Sequence, residues 1–245
     1  MLETMPLRIE DYALIGDCET AALVGRDGSI DWLCMPRFDS PACFSALLGT
    51  QDHGHWLVAP AIPARAVRRR YRPGTLILET EFETDAGVVV VTDCMPLRTQ
   101  MPDLIRVGEG KRGAVPMRLE LVIRLDYGSL VPWVRRTPDG IKAVGGSNAL
   151  HLRTPSSSAG RGLPDRGGVH GFGWPSRGVH PDVVSVALLF AADGVGPETI
   201  AAVHHDVVGL DPRAEDLLDD GIHRRPRFDE DEDLARLPER GDELG

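Results

Sequence analysis

Alternation of apolar and polar residues dominates the first 150 positions of this chain. Residues 78–83 alternate Leu, Thr and Phe with three glutamates, and residues 117–125 alternate five apolar residues with Arg118, Glu120 and Arg124. A period of two is typical of a β-strand with one buried and one wet face. Turn sequences containing Asp and Gly recur between such runs, at 27–28, 85–87 and 138–140. Short strands, regular turns and almost no helix predict an all-β fold, an antiparallel β-sandwich.

The predicted elements follow from these runs and from helix-boundary residues. Strands are predicted at 20–24, 29–34, 56–60, 75–84, 88–92, 117–125, 131–136, 140–144 and 149–153. The one predicted helix is short and covers residues 40–49. Ser40 suits its N-cap, Pro41 its first turn and Gly49 its end.

The pattern stops after Thr154, where the composition changes. From 154 to 181, 15 of 28 residues are Gly, Pro or Ser, and the stretches 156–162 and 166–168 are predicted to be loop or disorder. Further on, 183–191 and 203–208 could be strands, and 212–220 could be a short helix. We therefore expect a β-sandwich domain over 1–154, a loop-rich remainder over 155–210 and an acidic, disordered tail over 211–245.

Charge and apolar runs exclude several classes of function. The formal net charge is -10, which argues against a nucleic-acid partner, and 13 acidic against 6 basic residues in 211–245 account for most of it. No stretch approaches 18 apolar residues, and the first 12 residues do not resemble a secretory signal, so neither a membrane span nor export is expected. We expect a cytoplasmic protein with reduced, buried cysteines.

Several short motifs suggest chemistry but have a plainer interpretation. The GxGxxG match at 108–113 is followed by an alternating strand rather than by the helix that a dinucleotide site needs, so it is predicted to be a loop between strands. His53, His55 and the pair at 204–205 have no Cys or carboxylate partner at metal-site spacing and are expected on the surface. The arginines of 65–72 and the glutamates of 79–83 are expected to form solvated strand faces. No metal, cofactor or catalytic residue is assigned.

One set of segments carries a specific resemblance. The chain contains IEDYALIGDC at 9–18, DGSIDWLC at 27–34, PRFDSP at 36–41, VTDCMP at 91–96, DYG at 126–128 and VPWVRR at 131–136. In this order they closely resemble the opening of bacterial glycoside hydrolase family 15 proteins, the glucoamylase-like and trehalase-like enzymes. The resemblance fades near Thr154.

The family resemblance implies a specific architecture. In those proteins this segment is part of an amino-terminal β-sandwich that precedes a large (α/α)6 barrel. The barrel cleaves α-glucosidic bonds of maltooligosaccharides or trehalose with inversion, through two glutamates, and some trehalases require phosphate and magnesium. About 90 residues follow the resemblance, too few for a barrel, so we expect a truncated or frameshifted chain that is inactive alone. Whether it would act on trehalose or on α-glucans stays open.

Four residues at the end of the first hairpin are candidates for facing a carbohydrate or the barrel. They are Trp32, Arg37, Asp39 and Ser40. Trp can stack on a sugar face, while Arg and Asp can hydrogen-bond sugar hydroxyls. The alternative is structural: Trp32 and Phe38 pack into the core, Ser40 caps the helix, and Arg37 pairs with Asp39. The chain would then be a non-catalytic domain of a hydrolase, a carbohydrate-binding or partner-docking module, or a nonfunctional fragment.

Overall fold

The computed structural model describes residues 7–98, 101–137, 140–153, 168–173 and 183–192, and these form two antiparallel β-sheets. The strands are β1 Tyr12–Gly16, β2 Ala21–Gly25, β3 Ser29–Cys34, β4 Ala42–Phe44, β5 His55–Pro60, β6 Ala64–Tyr71, β7 Leu78–Thr84, β8 Gly87–Cys94, β9 Asp103–Gly113, β10 Met117–Val122, β11 Trp133–Thr137, β12 Gly140–Gly145, β13 Asn148–Arg153, β14 Gly168–Gly173 and β15 Val183–Ala192. The predicted antiparallel β-sandwich is confirmed.

The strand order brings distant parts of the chain together. The first sheet has the order β1-β2-β3-β5-β10-β14, with β4 paired to the end of β3. The second has the order β11-β12-β13-β15-β9-β8-β7-β6. The predicted strand at 183–191 is confirmed as β15, which lies between β13 and β9 in the middle of the second sheet. The domain boundaries proposed above stay predictions.

A single apolar core fills the space between the two sheets. Ile15, Ile30 and Trp56 contribute from the first sheet, while Phe82 and Leu150 contribute from the second. In β7 the burial alternates along the strand, as the sequence pattern predicted, because every second side chain points away from the core. The core is therefore the shared inner face of a two-layer sandwich.

The predicted helix over 40–49 is wrong. Residues Ala42–Phe44 form β4, and only the single 3-10 turn Ala46–Leu48 follows. All three β4 side chains are buried, and Leu33 and Cys34 of β3 provide the pairing partners. Tertiary pairing with β3 therefore overrides the helix-start signal of Ser40 and Pro41. Ser40 caps no helix.

Two predicted loops are also wrong in part. The glycine-rich stretch 108–113 belongs to β9, an eleven-residue strand that pairs with β8 and β15. Gly168, predicted to be loop, begins β14, which pairs with β10. The predictions at 156–162, 203–208 and 212–220 lie outside the described residues.

Helical structure in the described ranges amounts to three 3-10 turns of three residues each. In the part of the chain that the structure describes, no helix has the length and hydropathy of a bilayer-spanning segment.

Candidate functional site

A tight turn follows the first hairpin and holds three of the four candidate residues together. The Arg37 N–H donates to Ser40 Oγ at 3.1 Å, and the Ser40 N–H donates to the Arg37 carbonyl at 3.1 Å. The Phe38 N–H donates to the Glu19 carbonyl at 3.0 Å, which attaches the turn to the β1–β2 loop. The turn is thus fixed by backbone and hydroxyl bonds, and its charged side chains are left on the surface.

Arg37 and Asp39 form a two-point ion pair on this turn. Arg37 Nε donates to Asp39 Oδ1 at 2.9 Å, and Nη2 donates to Oδ2 at 2.6 Å. The hydrogen bond from Arg37 lowers the pKa of the Asp39 carboxyl, and the same bond raises the pKa of Arg37. Both side chains are exposed. The local pairing expected for these two residues is confirmed. The two hydrogen bonds fix the orientation of both charged side chains on the surface.

Trp32 makes a different contact, with an aromatic residue that is far away in sequence. Its ring lies 6.1 Å from the Tyr127 ring, centroid to centroid, with an interplanar angle of 41°. Trp32 is half-buried on β3, while Tyr127 is 49% exposed. The expectation that Trp32 and Phe38 both pack into the core is wrong, since Trp32 is outside the core cluster and Phe38 is 61% exposed.

The turn that presents Tyr127 has an unusual backbone. Leu125 and Leu130 bridge, and between them Asp126 and Tyr127 both have positive φ, at 52° and 56°. This left-handed region is tolerated by Asp but is uncommon for a bulky residue such as Tyr, and it costs about 1 kcal/mol or more. Ser129 Oγ donates to the Asp126 carbonyl at 2.7 Å, and the Tyr127 N–H donates to the Ala42 carbonyl of β4 at 3.2 Å. These bonds hold the ring beside Trp32 in spite of the strain.

The structure therefore divides the candidate residues into two neighbouring groups. Arg37, Asp39 and Ser40 share one turn, and Trp32 forms an aromatic pair with Tyr127. Sequence reasoning did not select Tyr127 as a site residue, although DYG at 126–128 carried part of the family resemblance. We call the surface formed by Trp32, Tyr127 and the 37–40 turn the aromatic face.

A buried arginine connects the two sheets. Arg106 of β9 is 1% exposed, and its Nε donates to Asp93 Oδ1 of β8 at 2.7 Å. Its Nη1 donates to the Trp56 carbonyl at 2.6 Å, and its Nη2 donates to the Gly28 carbonyl at 2.7 Å. The guanidinium carbon also lies 5.3 Å from the centroid of the Trp56 ring. Arg106 thus joins β8 and β9 to β5 and the β2–β3 turn.

Gly28 in that turn is required by its surroundings. Its φ is +87°, and a Cβ placed there would lie 2.4 Å from the Val58 carbonyl oxygen. The Asp27-Gly28 turn predicted from sequence is thus a close approach of β2, β3 and β5, as well as a tight turn.

A second buried ion pair closes the β1–β2 loop. Asp17 accepts hydrogen bonds from the backbone N–H groups of Glu19 and Thr20 and from Arg98 Nε, the last at 2.7 Å. Burial alone would raise the pKa of Asp17, but these hydrogen bonds lower it below its ordinary value. Burial raises the pKa of Asp103 to about 6. Asp17 thus holds the β1–β2 loop, whose Glu19 carbonyl accepts the Phe38 N–H of the aromatic face.

The arginine-rich strand β6 is neutralised by the glutamates of β7, as expected for a solvated face. Arg68 pairs with Glu81 and Glu83, and Arg70 with Glu79, at 2.7 to 3.1 Å. A surface recess over the two strands is lined by Arg68, Arg70, Glu79 and Glu81, together with Arg69 and Val90. Cross-strand pairing of this kind supports the sheet.

The histidine and cysteine predictions are partly wrong. His53 is exposed, but His55 is 1% exposed on β5, with its Nδ1 2.9 Å from the Gln51 carbonyl and its Nε2 3.8 Å from Glu120 Oε1. Cys18 is exposed, in contrast to the other three cysteines, and all four are free. No set of three or more His, Cys, Asp or Glu side chains within the described ranges is grouped closely enough to hold a metal ion.

Comparison with known proteins identifies the family. The family model described as "Trehalase-like, N-terminal" matches residues 2–159. The trehalase of Mycolicibacterium smegmatis is 44% identical over 87 residues, which cover 36% of this chain and 13% of that protein. Trehalase 2 of Sulfolobus acidocaldarius is 35% identical over 131 residues, covering 54% of this chain and 21% of that protein.

All of these matches cover only a small part of the relatives' length. The trehalase of Thermoplasma volcanium is 27% identical over 161 residues, which cover 61% of this chain and 26% of that protein. The chain thus spans about a quarter or less of the length of the curated relatives it matches. With the sandwich fold and the family model in agreement, this chain belongs to the trehalase-like N-terminal domain family.

Proposed function

We propose that this chain is the non-catalytic N-terminal domain of a trehalase-like glycoside hydrolase and that its aromatic face contacts the catalytic domain. The observation that carries the proposal is the Trp32–Tyr127 pair, which is held by a strained turn although Tyr127 is 49% exposed. Exposed aromatic residues on rigid elements are typical of interface centres. Strained backbone also concentrates at functional sites.

The neighbouring charges fit the same role. The Arg37–Asp39 pair is held on a turn that is fixed by Ser40 and by the Glu19 carbonyl. Such a pair can exchange its internal hydrogen bonds for bonds across an interface at little ordering cost, because the side chains are already positioned. A rigid sandwich that presents aromatic and charged groups would stabilise the adjoining domain without taking part in bond cleavage.

The chemistry of the complete hydrolase is a proposal drawn from the relatives. We propose hydrolysis of α-glucosidic bonds, with trehalose as the favoured substrate because the curated relatives are named trehalases. Glucoamylase-like activity on α-glucans, which glycoside hydrolase family 15 membership would allow, is the alternative. We assign no catalytic residue, cofactor or metal to this domain.

A domain exchange tests the docking role. Residues 2–159 of this chain would replace the matching segment of the Mycolicibacterium smegmatis trehalase, and glucose release from trehalose would be measured. We expect an active chimera, and at least a tenfold loss of activity, or about 1.4 kcal/mol, in the variant carrying Trp32→Ala and Tyr127→Ala. Leu76→Ala is the matched control, since Leu76 is an exposed apolar residue of the β6–β7 turn.

The outcomes of this exchange separate the explanations. Equal activity of the aromatic variant and the Leu76→Ala control would refute the docking role. Circular dichroism and the thermal midpoint of each chimera would identify variants that fail only because they unfold.

The same aromatic pair supports a second candidate function, carbohydrate binding by the domain itself. Trp and Tyr rings stack on sugar faces, and Arg37 and Asp39 offer hydrogen bonds to hydroxyl groups. Calorimetric titration of the full chain with trehalose and with maltooligosaccharides tests this candidate. A binding signal that Tyr127→Ala abolishes and Leu76→Ala preserves would favour it, and no signal at millimolar sugar would remove it.

We also propose a cytoplasmic location. The support is that all four cysteines are free, including the exposed Cys18, which suits a reducing compartment.

A further inference from the structure

A buried histidine of β5 has one ring nitrogen without a hydrogen bond. His55 is 1% exposed, and its Nδ1 lies 2.9 Å from the Gln51 carbonyl oxygen. Because a carbonyl oxygen only accepts, Nδ1 carries the hydrogen of this bond. Nε2 then holds either a lone pair or a second proton, and it has no hydrogen-bond partner among the described residues. Buried polar atoms in this state are rare in folded proteins, so Nε2 requires an explanation.

A carboxylate of β10 lies close to this nitrogen. Glu120 Oε1 is 3.8 Å from His55 Nε2, and the Glu120 side chain is 23% exposed. In the neutral imidazole, the Nε2 lone pair faces the oxygens of a carboxylate, and the two groups repel each other. In the imidazolium, Nε2–H faces Glu120, and the two groups attract each other as an ion pair. The second proton therefore converts an unfavourable buried contact into a favourable one.

The elements packed around His55 carry other charged or titratable groups, which are Asp52 and His53 of the 3-10 turn Gln51–His53, Arg124 after β10 and Asp31 of β3. Asp52 and His53 are exposed. Asp31 accepts hydrogen bonds from the hydroxyl groups of Tyr12 and Ser29, at 2.6 and 2.5 Å. Within the described ranges, Glu120 is the acid that the structure pairs with His55.

The 3-10 turn that is hydrogen-bonded to His55 also supports the turn that presents Tyr127. A Cβ placed on Gly128 would lie 2.8 Å from His53 Cδ2, so the His53 ring packs closely against Gly128. Gly128 directly follows Tyr127, whose positive φ is held only by the bonds of its surroundings. A shift of the 51–53 turn is therefore transmitted to the aromatic face.

We propose that His55 is a proton-dependent switch that sets the rigidity of the Tyr127 turn. With the second proton bound, the ring is held between the Gln51 carbonyl and Glu120, and the 51–53 turn stays in place. Without it, repulsion between Nε2 and Glu120 loosens the 51–53 turn and the aromatic face together. Histidine is the side chain that ordinarily changes charge between pH 5 and 8. The consequence for domain docking rests on the proposed function, whereas the switch itself is a property of this chain alone.

Amide hydrogen exchange of the full-length chain, followed by NMR, tests the switch. The readout is the protection of the Tyr127 amide, which donates to the Ala42 carbonyl, with each rate divided by the intrinsic exchange rate at the same pH. We expect protection at pH 5.5 to exceed protection at pH 8 by about fivefold or more. Asp103 also changes stability with pH, but this effect is shared by every variant below, so the difference between variants isolates His55.

Three variants separate the switch from a general effect of pH. His55→Asn keeps a donor near the Gln51 carbonyl but does not titrate, so the fivefold change in Tyr127 protection should be lost. Glu120→Gln offers an amide N–H to the neutral Nε2, so protection should stay high at both pH values. His151→Gln replaces another buried histidine, in β13 of the second sheet, and should behave like the unmodified chain.

The outcomes are distinct from those of the docking experiment. Equal Tyr127 protection at the two pH values in the unmodified chain, or an unchanged pH dependence in His55→Asn, would overturn the switch. If His55→Asn unfolds the whole sandwich, seen as lost protection at Val91 in the middle of β8, Glu120→Gln decides, and a pH change that persists there would overturn the switch. Loss of activity in the Trp32→Ala, Tyr127→Ala chimera with no pH effect on the chain would keep docking and remove the switch.

Discussion

The buried Arg106 gives the sharpest stability prediction, because all its partners are inside the sandwich. Arg106→Met removes two bonds to Asp93, one to the Trp56 carbonyl and one to the Gly28 carbonyl. Asp93 is 0% exposed and would be left as an uncompensated charge, which costs about 3–5 kcal/mol. The Gly28 carbonyl keeps its hydrogen bond from the Val58 N–H. The Trp56 carbonyl loses its bond from Arg106, which adds about 1 kcal/mol to the cost.

The assay is urea unfolding of the single and double variants. With a slope near 2 kcal/mol per molar urea, the summed loss of about 4–6 kcal/mol lowers the midpoint by about 2–3 M. Replacing both partners, Arg106→Met with Asp93→Leu, removes the buried charges together and should cost far less than Arg106→Met alone. A midpoint shift below 0.5 M for Arg106→Met, or additive costs in the double variant, would refute the reasoning.

Three further changes test other parts of the fold. Because Asp103 in the folded domain keeps a proton that the unfolded chain releases between about pH 4 and pH 6, stability should fall as pH rises through this window. Asp103→Asn should flatten that dependence in urea midpoints. Asp17 has the opposite sign, because its pKa is lowered, so its contribution to stability disappears as pH falls below about 4. Asp17→Asn should cost about 2 kcal/mol at pH 7, because Arg98 loses its charged hydrogen bond to Asp17 and keeps only the 3.5 Å ion pair with Glu19. Tyr71→Phe removes two 2.9 Å bonds to the Leu14 backbone and should cost about 1 kcal/mol and speed exchange of the Leu14 amide.

Much of the sandwich is predictable because local patterns and tertiary packing agree. The alternation in β7 and β10 and the turn at Asp27-Gly28 correspond to strands and a turn in the structure. The predicted helix over 40–49 fails because Ser, Pro and Gly mark helix ends only statistically, while pairing of β4 with β3 buries three consecutive side chains. β9 was missed because its glycines obscure the period of two.

The candidate site was less predictable than the fold. Trp32 meets Tyr127 across 95 positions of sequence, and nothing in the local pattern of either residue specifies that contact. Charged and polar residues such as Arg106 and His55 are usually predicted to face solvent. Their burial depends on hydrogen-bond partners that other segments of the chain contribute. The Arg37–Asp39 pair was predictable because it is local.

The central claim is that this family member is a docking domain that does not cleave glycosidic bonds by itself. Its most direct test is glucose release from trehalose by the purified full-length chain, measured against a buffer blank and an active trehalase as the positive control. The account predicts no release above the blank, even at high chain concentration. Steady release that scales with chain concentration and persists through further purification would contradict it.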